Sequence, residues 1–323
     1  MALRGSSCFA VQPECLIIHV SICIVDYRSA EDVAKCCAAL GQQTYNDFDV
    51  VICENGGIEG YDALRAALPQ ALPGGQAVEC VLAPGNVGYA GGINICMAAR
   101  PDADAWWVLN PDTRPDPQAL RALVQRLEHG DCDAAGGTVH HDNGLVQCHV
   151  GRWRPWLARC ESVGFGIPLT SPPDVTAMEQ TMSYISGASM LISRRFLTMA
   201  GPMREDYFLY GEEVEWCLRA RQRGMRLGFT PDARIEHAHG GTTGSGNAIR
   251  KRPKLPIYLD ERNKLHIVRD TSAYRWPVSV VASLALLSLR YLPHKAFRQW
   301  AYALSGWWAG VRGLRGLPPW MSP

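Results

Sequence analysis

Neither sign of charge dominates this 323-residue sequence, in which 32 lysines and arginines stand against 31 aspartates and glutamates. With no global positive field, nucleic acid is excluded as the main partner and any anion has to be met by a local site. No C-x-x-C pair occurs, so the twelve cysteines do not read as zinc ligands. They are scattered through apolar segments (Cys23, Cys53, Cys96, Cys217), which fits a reduced, cytoplasmic setting better than a disulfide framework. The first residues, Met1 to Glu14, lack the uninterrupted apolar core of a signal peptide, being broken by Gly5 and Pro13. The uncharged run Trp276 to Leu289 holds fourteen residues, short of the roughly 20 that a helix needs to span a bilayer. The register G-x-G-x-x-G is also missing, because the glycines fall at 85, 88, 91 and 92, which disfavours a dinucleotide oxidoreductase.

What is present is an apolar content of 47%, enough for a large α/β core. Leu16 to Val25 reads LIIHVSICIV, a continuous apolar stretch of the kind buried on both faces of a sheet. A helix over Ala30 to Leu40, the run Val50 to Cys53, a helix near Tyr61 to Leu68 and a strand Val78 to Ala83 follow. That βαβαβ rhythm predicts a parallel sheet. Next come a Gly-rich turn at Gly85 to Gly92, a helix to about Ala99 and the strand Ala105 to Leu109. Residues 144–183, rich in Pro, Gly and Trp, read as an irregular acceptor-side excursion. A strand at Met190 to Ile192 and a helix from Glu212 to Arg223 restore order.

Ligands of open α/β sheets bind beyond the carboxyl ends of the strands, so the polar residues there are the candidates. The Gly85–Gly92 turn allows close backbone approach and offers N–H groups to phosphate, although a tight connection with no ligand has the same pattern. Asn110-Pro111-Asp112 sets an amide oxygen and a carboxylate two residues apart, a pair suited to Mg2+ or Mn2+, unless it forms only a turn before Pro115. Glu212, Glu213 and Glu215 open a helix, where the dipole favours carboxylates and accounts for Glu212 and Glu215. Glu213, four residues before Cys217, borders the apolar stripe, and partial desolvation there would raise its pKa toward that of a general base. His237 and His239 follow the run Ala233 to Ile235, where an imidazole can complete a metal site with Asp112; a surface pair without a role is the alternative.

The ordered set SICIVDYRS, VVICEN, GNVGYAGGINIC, LNPDT, SGASMLISRRF, FLYGEEVEWCLRARQRG, PDARIEHAHGG and ERNKL, spanning Ser21 to Asp270, resembles the family 2 inverting glycosyltransferases of GT-A fold. Within them it is most similar to the rhamnosyltransferase-like group of bacterial polysaccharide assembly. The resemblance implies an α/β GT-A domain over residues 16–254, with a mostly parallel central sheet flanked by helices. Its nucleotide-sugar-binding half would be 16–113 and its acceptor-side half 114–254, between an N-terminal extension (1–15) and a helical C-terminal region (255–323). It implies that Asp112 binds a divalent cation, Mg2+ or Mn2+, on the donor diphosphate, with Asn110 nearby. His237, rather than His239, matches the metal-contacting histidine. Glu213 matches the catalytic base, with Glu212 as the alternative. Tyr27, Glu54 and Asn55 would lie at the nucleotide, and Asn86 and Gly88 along the donor. Glu213 and Glu54 stand where the family usually has Asp, and Arg28 where relatives often have Asn.

The expected activity is transfer of a sugar from a nucleotide diphosphate donor to an acceptor hydroxyl with inversion. The best-matching donor is dTDP-L-rhamnose; UDP-galactofuranose and UDP-glucose are the alternatives. A nucleotidyltransferase is disfavoured because Asp26 to Glu31 follows the first strand in place of a Gly-rich basic loop. A catalytically silent nucleotide-sugar-binding module uses the same scaffold, but the acids at 112, 212 and 213 argue against it. The acceptor is read as a glycan or a lipid-linked sugar. The basic, Trp-rich C-terminus (Arg290, Lys295, Arg298, Trp300, Trp307, Trp308, Arg312, Arg315) is read as a peripheral contact with the inner membrane face or as a packed helical cap.

Overall fold

The computed structural model describes residues 18–238 and 248–321; the stretch 1–15 and His239 lie outside them. The first half is a βα repeat: β1 (Val20–Asp26), α1 (Ala30–Leu40), β2 (Phe48–Glu54), α2 (Ile58–Ala67), β3 (Val78–Leu82), α3 (Gly88–Ala99) and β4 (Ala105–Leu109). Strands β1, β2, β3 and β4 pair in parallel, so Asp26 lies level with Glu54, and Ile24 with Leu109. The chain continues through β5 (Thr113–Pro115), α4 (Ala119–Glu128), β6 (Ala134–His140), β7 (Val146–Cys148), β8 (Val150–Arg154), β9 (Arg159–Val163) and α5 (Val175–Thr181). Then follow β10 (Ser189–Ser193), α6 (Arg194–Ala200), α7 (Glu212–Gln222) and β11 (Leu227–His237). The main sheet runs β3, β2, β1, β4, β10, β6, β11, β5, with β7 beside β6; β10 is antiparallel to both its neighbours.

The apolar run of β1 is buried on both sides because the sheet is covered on both faces. Ile22 and Ile24 pack with Leu40 of α1 and Leu123 of α4, whereas Cys23 and Val25 pack with Ile93 of α3, Phe196 of α6 and Trp216 of α7. Each such aliphatic side chain contributes about 1.5–3 kcal/mol on burial.

Two expectations are corrected. Residues 144–183 are not irregular: they hold β7, the antiparallel hairpin β8–β9 and α5. Strands of three to five residues are too short to display a period. The run Ala233 to Ile235 belongs to an eleven-residue strand whose register shifts between Thr230 and Arg234, around Pro231 and Asp232.

The C-terminal region forms α8 (Lys254–Ser272), α9 (Trp276–Tyr291) and α10 (Phe297–Val311). Leu265, Ile267 and Val268 of α8 belong to the same core as α3 and α7, so this helix is built into the body of the α/β domain. The helical stretch Lys254–His294 is long and apolar enough to cross a membrane by length and composition, beyond the fourteen residues counted in the sequence. Within it, α8 is buried against protein, while α9 leaves Val278, Val281 and Leu289 more than half exposed.

Candidate active site

A cleft of about 860 Å³ opens beyond the carboxyl ends of the central strands. Tyr27, Asn55, Asn86, Gly88, Asn110, Asp112, Glu212, Glu213 and His237 all line it, so residues far apart in sequence share one wall or the other.

The strand ladder makes one wall. Antiparallel pairing of β11 with β5 sets His237 opposite Thr113, and the Ala238 N–H donates to the Asp112 carbonyl at 3.1 Å. His237 Nε2 thereby comes within 3.2 Å of Asp112 Oδ1 and 3.4 Å of Asn110 Nδ2. Gln147 fixes the imidazole from behind. Its Nε2 donates to the His237 carbonyl (2.6 Å) and sits 2.8 Å from His141 Nδ1, while its Oε1 lies 3.0 Å from His237 Nδ1. With Nδ1 set against the Gln147 amide oxygen, Nε2 is the ring nitrogen that faces the Asp112 carboxylate. That donor set suits a divalent cation whose other ligands are phosphate oxygens and water. Among the described residues no group of three or more His, Cys, Asp or Glu could hold a metal by itself.

The opposite wall is a loop entering α7. Phe208 has φ +68° and ψ −59°, and the Leu209 N–H donates to the Tyr207 carbonyl at 2.9 Å: a γ-turn of the rare, strained hand. Tyr210 (φ +70°) and Gly211 (φ +89°) follow before Glu212 starts the helix. Strain of this kind, about 1–3 kcal/mol per residue, persists only where the surroundings enforce it. Gly88, at φ +77°, meets the loop from the start of α3: a Cβ there would lie 2.2 Å from the Phe208 carbonyl, which accepts from the Tyr89 N–H at 2.7 Å.

Burial holds the Glu212 carboxyl well above the usual range, and the neighbouring Glu213 charge adds to the effect. Glu213 is also raised by burial, against backbone N–H groups that favour its anion, among them Gly211 at 3.2 Å from Oε2. Its side chain lies over Gly187, whose carbonyl accepts from the Tyr89 hydroxyl at 3.1 Å.

Glu54 is not on the wall. It is fully buried under the floor, accepting from the Gly56 and Arg28 N–H groups. Its pKa is raised to about 7 by burial and then by the hydrogen bond and charge of Asp26, its register partner. Asn55 lines the cleft but spends its amide on the Gly88 carbonyl (2.7 Å) and the Val87 N–H (3.2 Å), holding the glycine turn. His239 lies outside the described residues. Gln147 and the Ser186–Ala188 loop were not singled out as functional in the sequence. Gln147 carries no signal in a three-residue strand; the loop lies inside the quoted SGAS segment.

Residues 19–254 match the model of the family described as glycosyltransferase like family 2. The chain belongs to this glycosyltransferase family. The enzyme is 22% identical over 311 residues to a low-salt glycan biosynthesis hexosyltransferase of Haloferax volcanii, covering 94% of each chain. It is 24% identical over 240 residues to the N-acetylglucosaminyl-diphospho-decaprenol L-rhamnosyltransferase of Mycobacterium tuberculosis, covering 68% of this chain and 76% of that one. Among solved structures, the mannosyltransferase of Pyrobaculum calidifontis in complex with GDP-Man and Mn2+ superposes with a TM-score of 0.57 at 15% identity, over 94% of this chain and 90% of that one. GalNAc-T7 with UDP, GalNAc and Mn2+ gives 0.53 at 14% identity, over 78% and 51%. The glycosyltransferase therefore has the GT-A fold its sequence resembled, and the expected α/β architecture with a helical C-terminal region is present.

Proposed function

We propose that this glycosyltransferase moves a sugar from a nucleotide diphosphate donor to an acceptor hydroxyl in a single inverting displacement, with L-rhamnose from dTDP-L-rhamnose as the leading donor. The observation that carries the mechanism is the sharing of one cleft by the Asp112–His237 pair and the raised carboxyl of Glu213. Glu213 takes the proton of the acceptor hydroxyl while that oxygen attacks the anomeric carbon, and the carbon–oxygen bond to the diphosphate breaks on the opposite face. Asp112 and His237, with Asn110 nearby, would hold the divalent cation, Mg2+ or Mn2+, which when bound would supply positive charge to neutralise the departing nucleoside diphosphate. The described lining residues include Asp112, Glu212 and Glu213 but no Lys or Arg, so a diphosphate has no side-chain cation to meet it. Tyr27, Asn86 and Gly88 border the space for the donor, and the L-rhamnosyltransferase relative supports the sugar. UDP-galactofuranose and UDP-glucose are the competing donors.

The test is a thermal-shift and turnover screen over dTDP-L-rhamnose and the UDP-sugars with Mg2+ or Mn2+. Stabilisation and turnover with dTDP-L-rhamnose, lost in Asp112→Ala and in chelator, is expected. Turnover with a UDP-sugar alone replaces the donor; stabilisation without any turnover makes the chain a binding module.

The acceptor is proposed to be a glycan or lipid-linked sugar presented at the cytoplasmic membrane face. Asp270 is the last acidic residue of the sequence, and Arg275, Arg290, Lys295, Arg298, Arg312 and Arg315 follow it. Arg315 is held by Asp206 and Asp270 and Arg290 faces Asp260; the remaining cations accompany the exposed apolar residues Val278, Val281, Leu289, Phe297 and Trp308, a combination suited to an anionic lipid surface. The ten described cysteines are all free thiols, in keeping with a reducing compartment.

A further inference from the structure

Every carbonyl of the strained entry to α7 is occupied, and most are occupied from one place on α8. Asn263 Nδ2 lies 2.9 Å from the Tyr207 carbonyl, 2.9 Å from that of Leu209 and 2.7 Å from that of Tyr210. Arg262 Nη2 donates to the Tyr207 carbonyl as well, at 2.9 Å, while its Nη1 reaches Gly316 O at 2.7 Å. The Arg262 Nε–H donates to Asn263 Oδ1 at 2.9 Å, which leaves the amide one orientation, nitrogen toward the loop. Both side chains are 1% exposed. Directly above them, a Cβ on Gly211 would meet Ile267 at 3.0 Å and Asn263 at 3.6 Å, so the loop rests on this face of α8. The Phe208 carbonyl is taken from the other side by Tyr89.

We infer that Asn263, oriented by Arg262, is a positioning residue for the transfer: it sets the left-handed loop from which α7 presents Glu213 to the acceptor. A loop bent through three positive φ values does not keep this path unaided, and Glu212 begins α7 with no side-chain cap. Releasing the three carbonyls lets the turn relax, and a displacement of about 1 Å of a catalytic group costs on the order of 10²-fold in rate. The inference rests on Glu213 as the base and adds to that reading a part of the machinery lying beyond residue 254, outside the matched family segment.

Asn263→Asp tests it, since it keeps the shape and turns the shared donor into an acceptor facing three carbonyls. Turnover and donor affinity are measured in this variant, in Glu213→Gln and in the double variant. The expected result is a kcat lower by about 10²-fold with the donor dissociation constant unchanged. In the Glu213→Gln background the second change then costs nothing further. Unchanged kcat, a fall in donor affinity that matches the fall in kcat, or the same fractional loss in both backgrounds overturns the positioning role. Arg262→Lys, which keeps the charge and loses the Nε–H bond to Asn263, is expected to give the same pattern at smaller amplitude and carries the test if Asn263→Asp does not fold. Near-normal turnover in Glu213→Gln alone strikes the base assignment, and it is read separately from the Asn263 single variant.

Discussion

On one wall of the cleft, Asp112 and His237 stand at the ends of hydrogen-bonded strands; on the other, Glu212 and Glu213 begin a helix whose entry is bent against its own preferences. The first wall is registered by backbone pairing, which tolerates most side-chain changes around it. The second is registered by side chains, Asn263 and Arg262 below it, and by the absence of one at Gly88. Groups of the first kind are spoiled mainly by replacing the ligand itself, whereas groups of the second kind are spoiled from a distance.

The largest effect expected from this contrast is at the base. Glu213→Gln keeps the shape of the loop wall and removes the proposed proton acceptor, so turnover is expected to fall by about 10²–10⁴ with donor binding retained, as steady-state kinetics and titration would show. On the ladder wall, Gln147→Leu leaves both proposed ligands in place but removes the amide that holds the His237 imidazole. Cation affinity, followed by activation with Mn2+, is expected to fall about 10–100-fold with little change in kcat at saturating cation. An equal loss of kcat at saturation would mean that the two walls are not separable.

Gly88→Ala attacks the loop wall from the start of α3. A left-handed backbone and a Cβ 2.2 Å from the Phe208 carbonyl predict a loss of about 1–3 kcal/mol in denaturant unfolding. Glu54→Gln leaves both walls in place and tests the floor they share. The Glu54 pKa, raised from 4.5 to about 7, means that its contribution to stability is present below 4.5 and is lost as pH rises through about 7. The stability of the wild type relative to Glu54→Gln should therefore decline across that window, and a difference independent of pH would show that Glu54 is ionised throughout.

The ladder wall was legible in the sequence because its residues terminate buried apolar strands: Asn110 and Asp112 after Trp106 to Leu109, and His237 after Ile235. The acids of α7 were legible through their clustering and the apolar stripe behind them. Gln147 was not, since an uncharged amide has no periodicity and acts through a partner about 90 residues away. Asn263 lies inside the quoted ERNKL segment, but that segment gave it no role, because its partners are carbonyls about 55 residues away. Glu54 was placed at the nucleotide, and its side chain lies buried beside Asp26; spacing along a strand does not distinguish a side chain aimed at the cleft from one aimed at Asp26.

The attachment of α8 to the acid loop has a practical corollary for anyone trimming this protein. A chain cut where the family match stops would keep the strands that carry Asp112 and His237 and discard the amide that gathers Tyr207, Leu209 and Tyr210. Such a fragment would also lose Leu265, Ile267 and Val268 from the core it shares with α3 and α7, so its silence in an assay would report the missing helix rather than a wrong substrate.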